Sequence, residues 1–355
     1  MELTLLAEKL EEQYRKKLPF VLYALPDSET VVAYFQRDAQ LHHTENFTEK
    51  SFVMAPFDFK DRNCCIPESE SERFETPMPR EHAALKDISV PDTAEEMNRH
   101  EQLVEKALQA IRNHKAEKIV VSRKKVIALS GFNASEVFKR LFSLYPKAFR
   151  YLWYHPETEL WCGATPEILV KTEKNSFTTM ALAGTQKYSA KTPIYWNEKE
   201  IEEQQIVTDA ITNSLQKVTD VLKVSKAYTH AAGTLAHLRS DVTGILKGGK
   251  ATLQTITKAL HPTPAVCGTP KQFARDFIKE HEQYDREFYT GFLGPICGDD
   301  KCSVLYVNLR AMKIAGTTAT LYAGGGITKG SVPYAEWQET QFKLQTMLQV
   351  LQPIL

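Results

Sequence analysis

The feature of the sequence that most constrains the fold is a succession of short, strand-like segments in the middle of the chain. Four of them follow one another between residues 150 and 184, with the sequences RYLWYH, ELWCGA, EILVKT and FTTMALAG. Polar turns such as PET and EKNS separate them, and apolar runs bounded by such turns predict β-strands. Because strands joined by tight turns pair antiparallel, we expect an antiparallel meander here.

Helical segments alternate in groups with these strands. Periodic apolar positions and capping patterns predict helices over residues 2–17, from a cap at Asp92 or Thr93 to residue 114, near 198–222, once after residue 246, and from about 334. Strand patterns recur at FVLYAL, TVVAYF and SFVMAPF and at residues 303–313 and 318–323, whereas the acidic, proline-bearing residues 67–87 predict an exposed excursion. Groups of helices between runs of adjacent strands indicate an α+β fold with largely antiparallel sheets.

The composition argues against several classes of function. Lysine plus arginine and aspartate plus glutamate are equal at 44 each, so the charge gives no reason to expect nucleic acid or an anionic membrane as a partner. The charged N-terminus has no apolar h-region and no transmembrane run follows, which predicts a cytoplasmic location. The six cysteines show no CxxC pair or zinc spacing and are predicted to be small hydrophobes. Because no linker interrupts the chain, we expect a single domain over residues 1–355.

Two acidic pairs stand at helical spacing. Glu200 and Glu203 lie three residues apart in KEIEEQ, and Glu336 and Glu339 repeat the spacing in YAEWQET, with Lys343 one turn later. Most such pairs belong to solvated helix faces. If the two helices meet, four converging carboxylates need a cation, and an all-oxygen site suits Mg²⁺. The second pair lies beside the apolar stripe of its helix, a position that suits the lip of a cleft.

Lys118 and Glu167 have the chemistry of a base and an acid. Lys118 begins the strand-like segment KIVVSR, and Glu167 precedes an apolar strand in GATPEILV. Burial disfavours the charged form of both residue types, which makes a lysine a better base and keeps the proton on a carboxyl group. Each residue also has an ordinary interpretation, since an edge-strand lysine discourages aggregation and a strand-entry glutamate is commonly solvated. The residues alone leave both interpretations open.

Three further residues are candidate contacts to an anion or substrate. In SVLYVNLRAMKI the alternation places Arg310 on the same strand face as Asn308, where its guanidinium can fork onto a carboxylate. The glycines of YAGGGIT, from Gly324 onward, can aim backbone N–H groups at an anion, and they form no nucleotide-binding motif. His237 has apolar neighbours and fits a core histidine as well as a substrate contact.

Taken in order, these segments resemble the chorismate-utilising enzymes, a family that includes anthranilate synthase, aminodeoxychorismate synthase, isochorismate synthase and salicylate synthase. The ordered motifs are EKIVVSR, GATPEIL, ALAGT, KEIEEQ, LAHLRS, LHPTPAVCGTP, DREFYTGFLG, VNLRAMKI and YAGGGIT, followed by PYAEWQET. They cover roughly residues 95–350. The resemblance implies one chorismate-binding domain with a deep central site, in which residues 1–94 are a variable N-terminal part and residues 95–355 the catalytic part.

The resemblance also implies roles in binding for individual residues. Glu203 and Glu339 resemble direct Mg²⁺ ligands, and Glu200 and Glu336 resemble partners that act largely through metal-bound water. The implied substrate contacts are Thr185, His237, Ala265, Tyr289, Arg310, Gly324 and Lys343.

The positions that separate the branches of the family resemble isochorismate synthase. Lys118, where amine-transferring members tend to have glutamine, resembles the base that activates water for attack at C2 of chorismate. Glu167 resembles the acid that protonates the departing C4 hydroxyl. Ala183 stands where aminodeoxychorismate synthases carry a nucleophilic lysine, and Ala265 stands where the branches that eliminate pyruvate usually have threonine. One departure is Gln204, which replaces the histidine that many relatives have after the metal-helix glutamate.

We therefore predict an isomerase that converts chorismate reversibly to isochorismate with Mg²⁺ as cofactor. The alternatives are salicylate synthase, an amidotransferase-type anthranilate synthase subunit, and a chorismate-binding protein without activity. The prediction includes chorismate as the small-molecule partner, no glutaminase subunit, no nucleic acid or membrane partner, and a monomeric state. It leaves open whether the product serves menaquinone, a catechol siderophore or another pathway.

Overall fold

The computed structural model describes residues 1–58, 62–78, 88, 90–188, 193–232, 235–248, 252–298 and 302–355. The helices are α1 (Leu3–Arg15), α2 (Ala94–Arg112), α3 (Ala134–Leu144), α4 (Glu198–Leu215), α5 (Leu253–Leu260), α6 (Lys271–His281) and α7 (Pro333–Leu351), followed by a 3₁₀ turn (Gln352–Ile354). None of the helices in these ranges is long and apolar enough to cross a membrane.

The strands up to residue 187 are β1 (Phe20–Ala24), β2 (Thr30–Gln36), β3 (His42–His43), β4 (Ser51–Ala55), β5 (Cys64–Pro67), β6 (Ser71–Pro77), β7 (Lys118–Ala128), β8 (Phe149–His155), β9 (Glu159–Thr165), β10 (Ile168–Glu173) and β11 (Ser176–Lys187). The later strands are β12 (Thr219–Val224), β13 (Tyr228–Ala232), β14 (Leu235–Leu246), β15 (Gly268–Thr269), β16 (Phe292–Ile296), β17 (Cys302–Val307), β18 (Ala311–Ala315) and β19 (Thr318–Ile327).

Two large sheets form the framework. The first has the order β15-β7-β19-β18-β9-β8-β1-β2-β6, and the second has the order β12-β14-β11-β10-β17-β16-β4-β5-β3, with β13 also pairing with β14. Every pairing between described strands is antiparallel. The predicted α+β fold with antiparallel sheets is confirmed.

The sheets pack on each other, and helices cover their outer faces. The contact between the sheets is rich in aromatic rings, as where Phe149 of the first sheet stacks on Tyr306 of the second with ring centroids 4.1 Å apart. Buried residues of α1, α3 and α7 pack on the first sheet, and those of α4 and α5 pack on the second. Four of the six cysteines are buried, as expected for small apolar residues.

The predicted meander of four strands is wrong at its centre. β8 pairs with β9 in the first sheet and β10 pairs with β11 in the second, so the chain changes sheets between Thr165 and Ile168. Pro166 lies at this crossing, and because proline has no N–H it cannot continue a ladder. The crossing leaves Glu167 at the boundary between the two sheets.

A second crossing corrects the predicted strand over residues 303–313. β17 belongs to the second sheet and β18 to the first, and the segment between them includes Arg310 at a φ of 48°. Asn308 is turned inward, where its amide accepts from the Tyr151 hydroxyl at 2.8 Å and donates to the Phe288 carbonyl at 2.8 Å. Asn308 and Arg310 therefore do not share a strand face, and both crossings place polar residues between the sheets.

Two predicted boundaries also change. The helix expected near 198–222 ends at Leu215, because the β-branched residues that follow pair as β12 with β14. The expected excursion over residues 67–87 contains the edge strand β6, which pairs with β2 and turns its charged residues outward. Residues 79–87 of that stretch lie outside the described residues. Between residues 246 and 303 the structure has two helices, α5 and α6, where one was expected.

Candidate active site

A cavity lies where the two crossings meet the ends of β7, β11 and β19. Its lining includes both predicted catalytic residues and every predicted substrate contact, namely Lys118, Glu167, Thr185, His237, Ala265, Tyr289, Arg310, Gly324 and Lys343. Of the four predicted metal residues, Glu203 and Glu339 line the cavity. Glu200 and Glu336 do not contribute to the lining; they lie behind it, next to Gly184 and Gly325. The structure thus brings together residues that are more than 200 positions apart in sequence.

Lys118 is buried at the start of β7 rather than solvated at an edge. It is 1% exposed, and its Nζ lies 2.8 Å from Glu203 Oε1, so the strand and α4 meet at this ion pair. β19 runs alongside, and a Cβ at Gly326 would collide with Glu203 Oε1 and lie 2.6 Å from Lys118 Cε. The glycine at this position therefore makes the room that the pair occupies.

Glu167 has the electrostatics of a proton donor. It is 4% exposed at the crossing after Pro166. Burial raises its pKa from 4.5 to about 7, although the positive charges of Lys118 and Lys343 act in the opposite direction. A carboxyl group with such a pKa keeps its proton at near-neutral pH and can give it to a leaving group.

Arg310 provides a guanidinium without an acidic partner among the described residues. Among the described residues its side chain makes one hydrogen bond, a long one of 3.4 Å to Thr346 Oγ1, and desolvation lowers its pKa below the usual value for arginine. By contrast, Lys118 and Lys343 in the same cavity each pair with a glutamate. An arginine held this way is suited to fork onto a carboxylate that enters the cavity.

His237 is neutral and presents an acceptor. Its Nδ1 lies 2.8 Å from the Gly184 carbonyl, which requires a proton on Nδ1 and leaves Nε2 as an acceptor. Burial, with help from Arg310 and Lys343, lowers its pKa to about 3. Nε2 is buried without a hydrogen-bond partner among the described residues, so it is available to a ligand hydroxyl.

The open edge of β19 supplies backbone donors. β18 pairs with β19 only as far as Leu321, so the glycine-rich end of the strand is free on that side in the described structure. Lys343 Nζ donates to the Gly324 carbonyl at 2.8 Å. Because the N–H and C=O of one residue in an antiparallel strand point to the same side, the Gly324 N–H faces the cavity as well.

One glutamate of α4 and both glutamates of the pair on α7 border the glycine-rich end of β19. A Cβ at Gly325 would lie 3.1 Å from Glu336 Oε2 and 3.7 Å from Glu339 Oε1. On the far side of the strand, Gly326 borders Glu203. The pair on α7 lies deeper than the expected lip of a cleft, since Glu336 is only 1% exposed.

The charges of these carboxylates are balanced by lysines. Glu339 Oε1 lies 2.6 Å from Lys343 Nζ, and Glu336 Oε1 lies 2.7 Å from Lys199 Nζ. Burial and the neighbouring Glu339 raise the pKa of Glu336 to about 7 against the effect of Lys199. Burial acts to raise the pKa of Glu339 too, but Lys343 and Lys199 outweigh it and lower that pKa.

The donor chemistry of these residues suits a hard divalent cation. Glu336 Oε2 is buried with no hydrogen-bond partner among the described residues, which is the state of an oxygen that lacks its ligand. The donors around it are all carboxylate oxygens, the type that Mg²⁺ prefers. Within the ranges that the structure describes, no three His, Cys, Asp or Glu side chains lie close enough to hold a metal as a set. The Mg²⁺ ligand set, including the roles of Glu200 and Glu203, stays a prediction.

Several residues of the site were not predicted from the sequence. Lys199 stands one position before Glu200 but was not recognised as the partner of Glu336. Thr290 and Tyr322 line the cavity, and Arg286 supports it from behind. Thr290 and Arg286 lie inside the motif DREFYTGFLG, so the motif was the available signal, although it does not show what each side chain contacts.

The fold and the site together define a small-molecule enzyme. Its cavity has a buried acid, a buried lysine, a set of carboxylates and a guanidinium without an acidic partner among the described residues. This combination suits an anionic substrate bound with a cation. The family described as chorismate binding enzyme matches residues 40–352, and the chain belongs to this family.

Relatives and solved structures agree with this assignment. The chain is 31% identical over 249 residues to isochorismate synthase MenF of Haemophilus influenzae, covering 68% of this chain and 57% of the relative. It is 34% identical over 198 residues to isochorismate synthase DhbC of Bacillus subtilis, covering 53% of this chain and 50% of the relative. The matched region thus spans about half the length of these relatives. One crystal structure is assigned as the 2,3-dihydroxybenzoate-specific isochorismate synthase DhbC of Bacillus anthracis. It superimposes with a TM-score of 0.80 at 25% identity, and the match covers 98% of this chain and 99% of the DhbC chain.

Proposed function

We propose that the protein is an isochorismate synthase, which converts chorismate reversibly to isochorismate. The observation that carries the proposal is Glu167, a buried carboxyl group whose pKa is raised to about 7 and which shares one cavity with the buried amine of Lys118. Acid and base in one closed site are what a reaction needs when it adds water at one carbon and removes a hydroxyl group from another. The names of the relatives support the same reaction.

The residues divide the reaction between them. Arg310 and the Gly324 N–H hold a carboxylate of chorismate, and the fixed geometry orients the ring. Lys118, which must be in its neutral form for this step, takes a proton from the water that attacks C2. As the ring double bond shifts, Glu167 gives its proton to the hydroxyl group that leaves C4. One water is consumed and one is released, so the conversion is an isomerisation.

Mg²⁺ is part of the proposal. Glu203 and Glu339 would hold it directly, and Glu200 and Glu336 would support it from behind. When bound, the cation supplies positive charge against a substrate carboxylate. The relatives carry two different names, isochorismate synthase MenF and isochorismate synthase DhbC, so the proposal stops at the reaction that they share.

Replacing the base tests the proposal. The variant Lys118→Ala is expected to lower kcat by at least about a hundredfold, because the attacking water loses its proton acceptor. Chorismate binding, measured by calorimetry, should persist because Arg310 and Lys343 are unchanged. A Lys118→Ala variant with wild-type turnover would remove the base from the mechanism.

A further inference from the structure

Arg286 is buried behind the cavity, and all five of its N–H groups have acceptors. The side chain is 1% exposed. Nε and Nη2 donate to Glu282 at 2.8 and 2.5 Å. The remaining N–H groups donate to the Val266 carbonyl at 2.8 Å, to Thr290 Oγ1 at 3.2 Å and to the Val120 carbonyl at 2.8 Å. A guanidinium has five N–H donors, so this one is fully used.

The two carbonyls belong to two segments of the cavity wall that are distant in sequence. Val120 lies two residues after Lys118 on the same face of β7. Val266 follows Ala265 in the loop that leads to β15. A single planar group bonded to both carbonyls fixes how far the proposed base lies from this wall.

The third acceptor extends the network to the residue after Tyr289. The Thr290 hydroxyl donates to the Tyr289 carbonyl at 2.6 Å and therefore accepts from Arg286. Thr290 has a φ of 60°, a conformation that a β-branched residue keeps only when its surroundings enforce it. The hydrogen bond from Arg286 is part of that enforcement.

Glu282 anchors the guanidinium to the sheet. Its Oε1 accepts from the Ser122 N–H at 2.7 Å and from the Ser122 hydroxyl at 3.0 Å. Both residues of the ion pair are buried, so the guanidinium cannot shift without leaving a charge unpaired. The ion pair is therefore bonded to β7 at two residues: Glu282 accepts from Ser122, and Arg286 donates to the Val120 carbonyl.

We propose that Arg286 is a positioning residue, which sets the spacing between β7, with its proposed base, and the loop that carries Ala265. It does not line the cavity, so it acts through the backbone that it holds. The kinetic part of its test rests on the proposed function, whereas the structural part does not.

A matched pair of variants tests this inference. Arg286→Lys keeps the charge next to Glu282, but its three N–H groups on one atom cannot span both carbonyls. The control is Arg150→Lys, because Arg150 is also buried and also donates to backbone carbonyls, in its case those of Phe142, Leu25 and Ser28. None of these three lines the cavity.

We expect both variants to lose thermal stability, but only Arg286→Lys to lose turnover. Its kcat should fall by about ten- to a hundredfold, the effect of a small misplacement of a reacting group. Its KM for chorismate should stay within about twofold, because the carboxylate contacts are untouched. Arg150→Lys should keep both constants. Equal kinetic effects in the two variants would overturn the inference.

Hydrogen exchange gives a readout that does not depend on the reaction. The Val120 N–H donates to the Cys267 carbonyl at 2.9 Å. The amide hydrogen of Val120 should exchange faster in Arg286→Lys than in the wild type, but not in Arg150→Lys. Unchanged exchange at Val120 would also overturn the inference. If the wild-type protein does not convert chorismate, the proposed function fails. The hydrogen-exchange comparison alone then decides whether Arg286 sets the position of β7. If Arg286→Lys does not fold, Glu282→Gln, which loosens the same guanidinium, is expected to give the same pattern more weakly.

Discussion

At the scale of single residues, the pKa of Glu167 makes a prediction about pH. A general acid works only while it holds its proton, so turnover should fall as the pH rises through about 7. Glu167→Gln should lower kcat by about 10²- to 10⁴-fold at every pH and remove this limb from the profile. A pH–rate profile of the two proteins measures both effects. An unchanged high-pH limb in Glu167→Gln would assign it to another group.

The raised pKa of Glu167 also predicts that replacing this residue increases stability while it lowers activity. The folded-state pKa of Glu167 lies above its usual value of 4.5, so the group's contribution to stability is complete at low pH and is lost as the pH rises through about 7. Glu167→Gln should therefore raise the free energy of unfolding at pH 8 by up to about 3 kcal/mol and have little effect near pH 4. Glu173→Gln, an exposed change at the far end of β10, the strand that follows Glu167, is the control and should be neutral at both pH values. Equal effects of the two changes at pH 8 would contradict the burial argument.

Lys199 makes a prediction about the metal that does not depend on activity. Its ammonium pairs with Glu336 Oε1 at 2.7 Å, and without it the buried Glu336 lacks a cation. Lys199→Met should lower the melting temperature without Mg²⁺ and enlarge the rise that Mg²⁺ causes, since the ion then compensates the missing charge.

The control for this experiment is a lysine of similar exposure. Lys313 is 24% exposed against 23% for Lys199, and it pairs with Glu287 at 2.6 Å outside the cavity. Lys313→Met should show the wild-type response to Mg²⁺. If both variants respond to Mg²⁺ equally, Glu336 does not belong to a magnesium site.

At the scale of elements, the glycine-rich end of β19 leaves the space in which Glu203 of α4 pairs with Lys118 of β7. Gly326→Ala should cost about 1–3 kcal/mol, because the added Cβ collides with Glu203 and Lys118. Displacement of the Lys118–Glu203 ion pair should also lower kcat at least about tenfold. Gly131→Ala, where a Cβ meets no atom within 4 Å, should stay within about 0.5 kcal/mol of the wild type. Thermal unfolding and turnover of the two variants test this, and a stable, active Gly326→Ala would refute the packing argument.

Helices whose start is marked by a capping pattern in the sequence were predicted well. The helix that follows Thr93 begins with a capping box, in which Thr93 Oγ1 accepts from the Glu96 N–H and Glu96 accepts in return. Sheet membership was not predictable in this way. At Pro166 and at Arg310 the chain leaves one sheet for the other, and no local pattern says which sheet a strand joins.

At the scale of the whole molecule, the site depends on pairings between distant segments. β7 pairs with β19 across almost 200 residues, from Ile119 opposite Ile327 to Ala128 opposite Thr318. Apart from Lys343, the ordered motifs contained every predicted residue that lines the cavity, although Thr290 and Tyr322 in the same motifs were not recognised. They could not show that Lys199 neutralises Glu336 or that Arg286 joins two walls, since these contacts exist only once the walls have assembled.

The measurement that tests the central claim most directly is NMR of chorismate incubated with the protein, with and without Mg²⁺ and then with added ammonium. The proposed roles of Lys118 and Glu167 predict an equilibrium mixture of chorismate and isochorismate that requires Mg²⁺ and is indifferent to ammonium. Pyruvate with salicylate would contradict the weight placed on Ala265. An aminated product would contradict the assignment of Lys118 as the base that activates water.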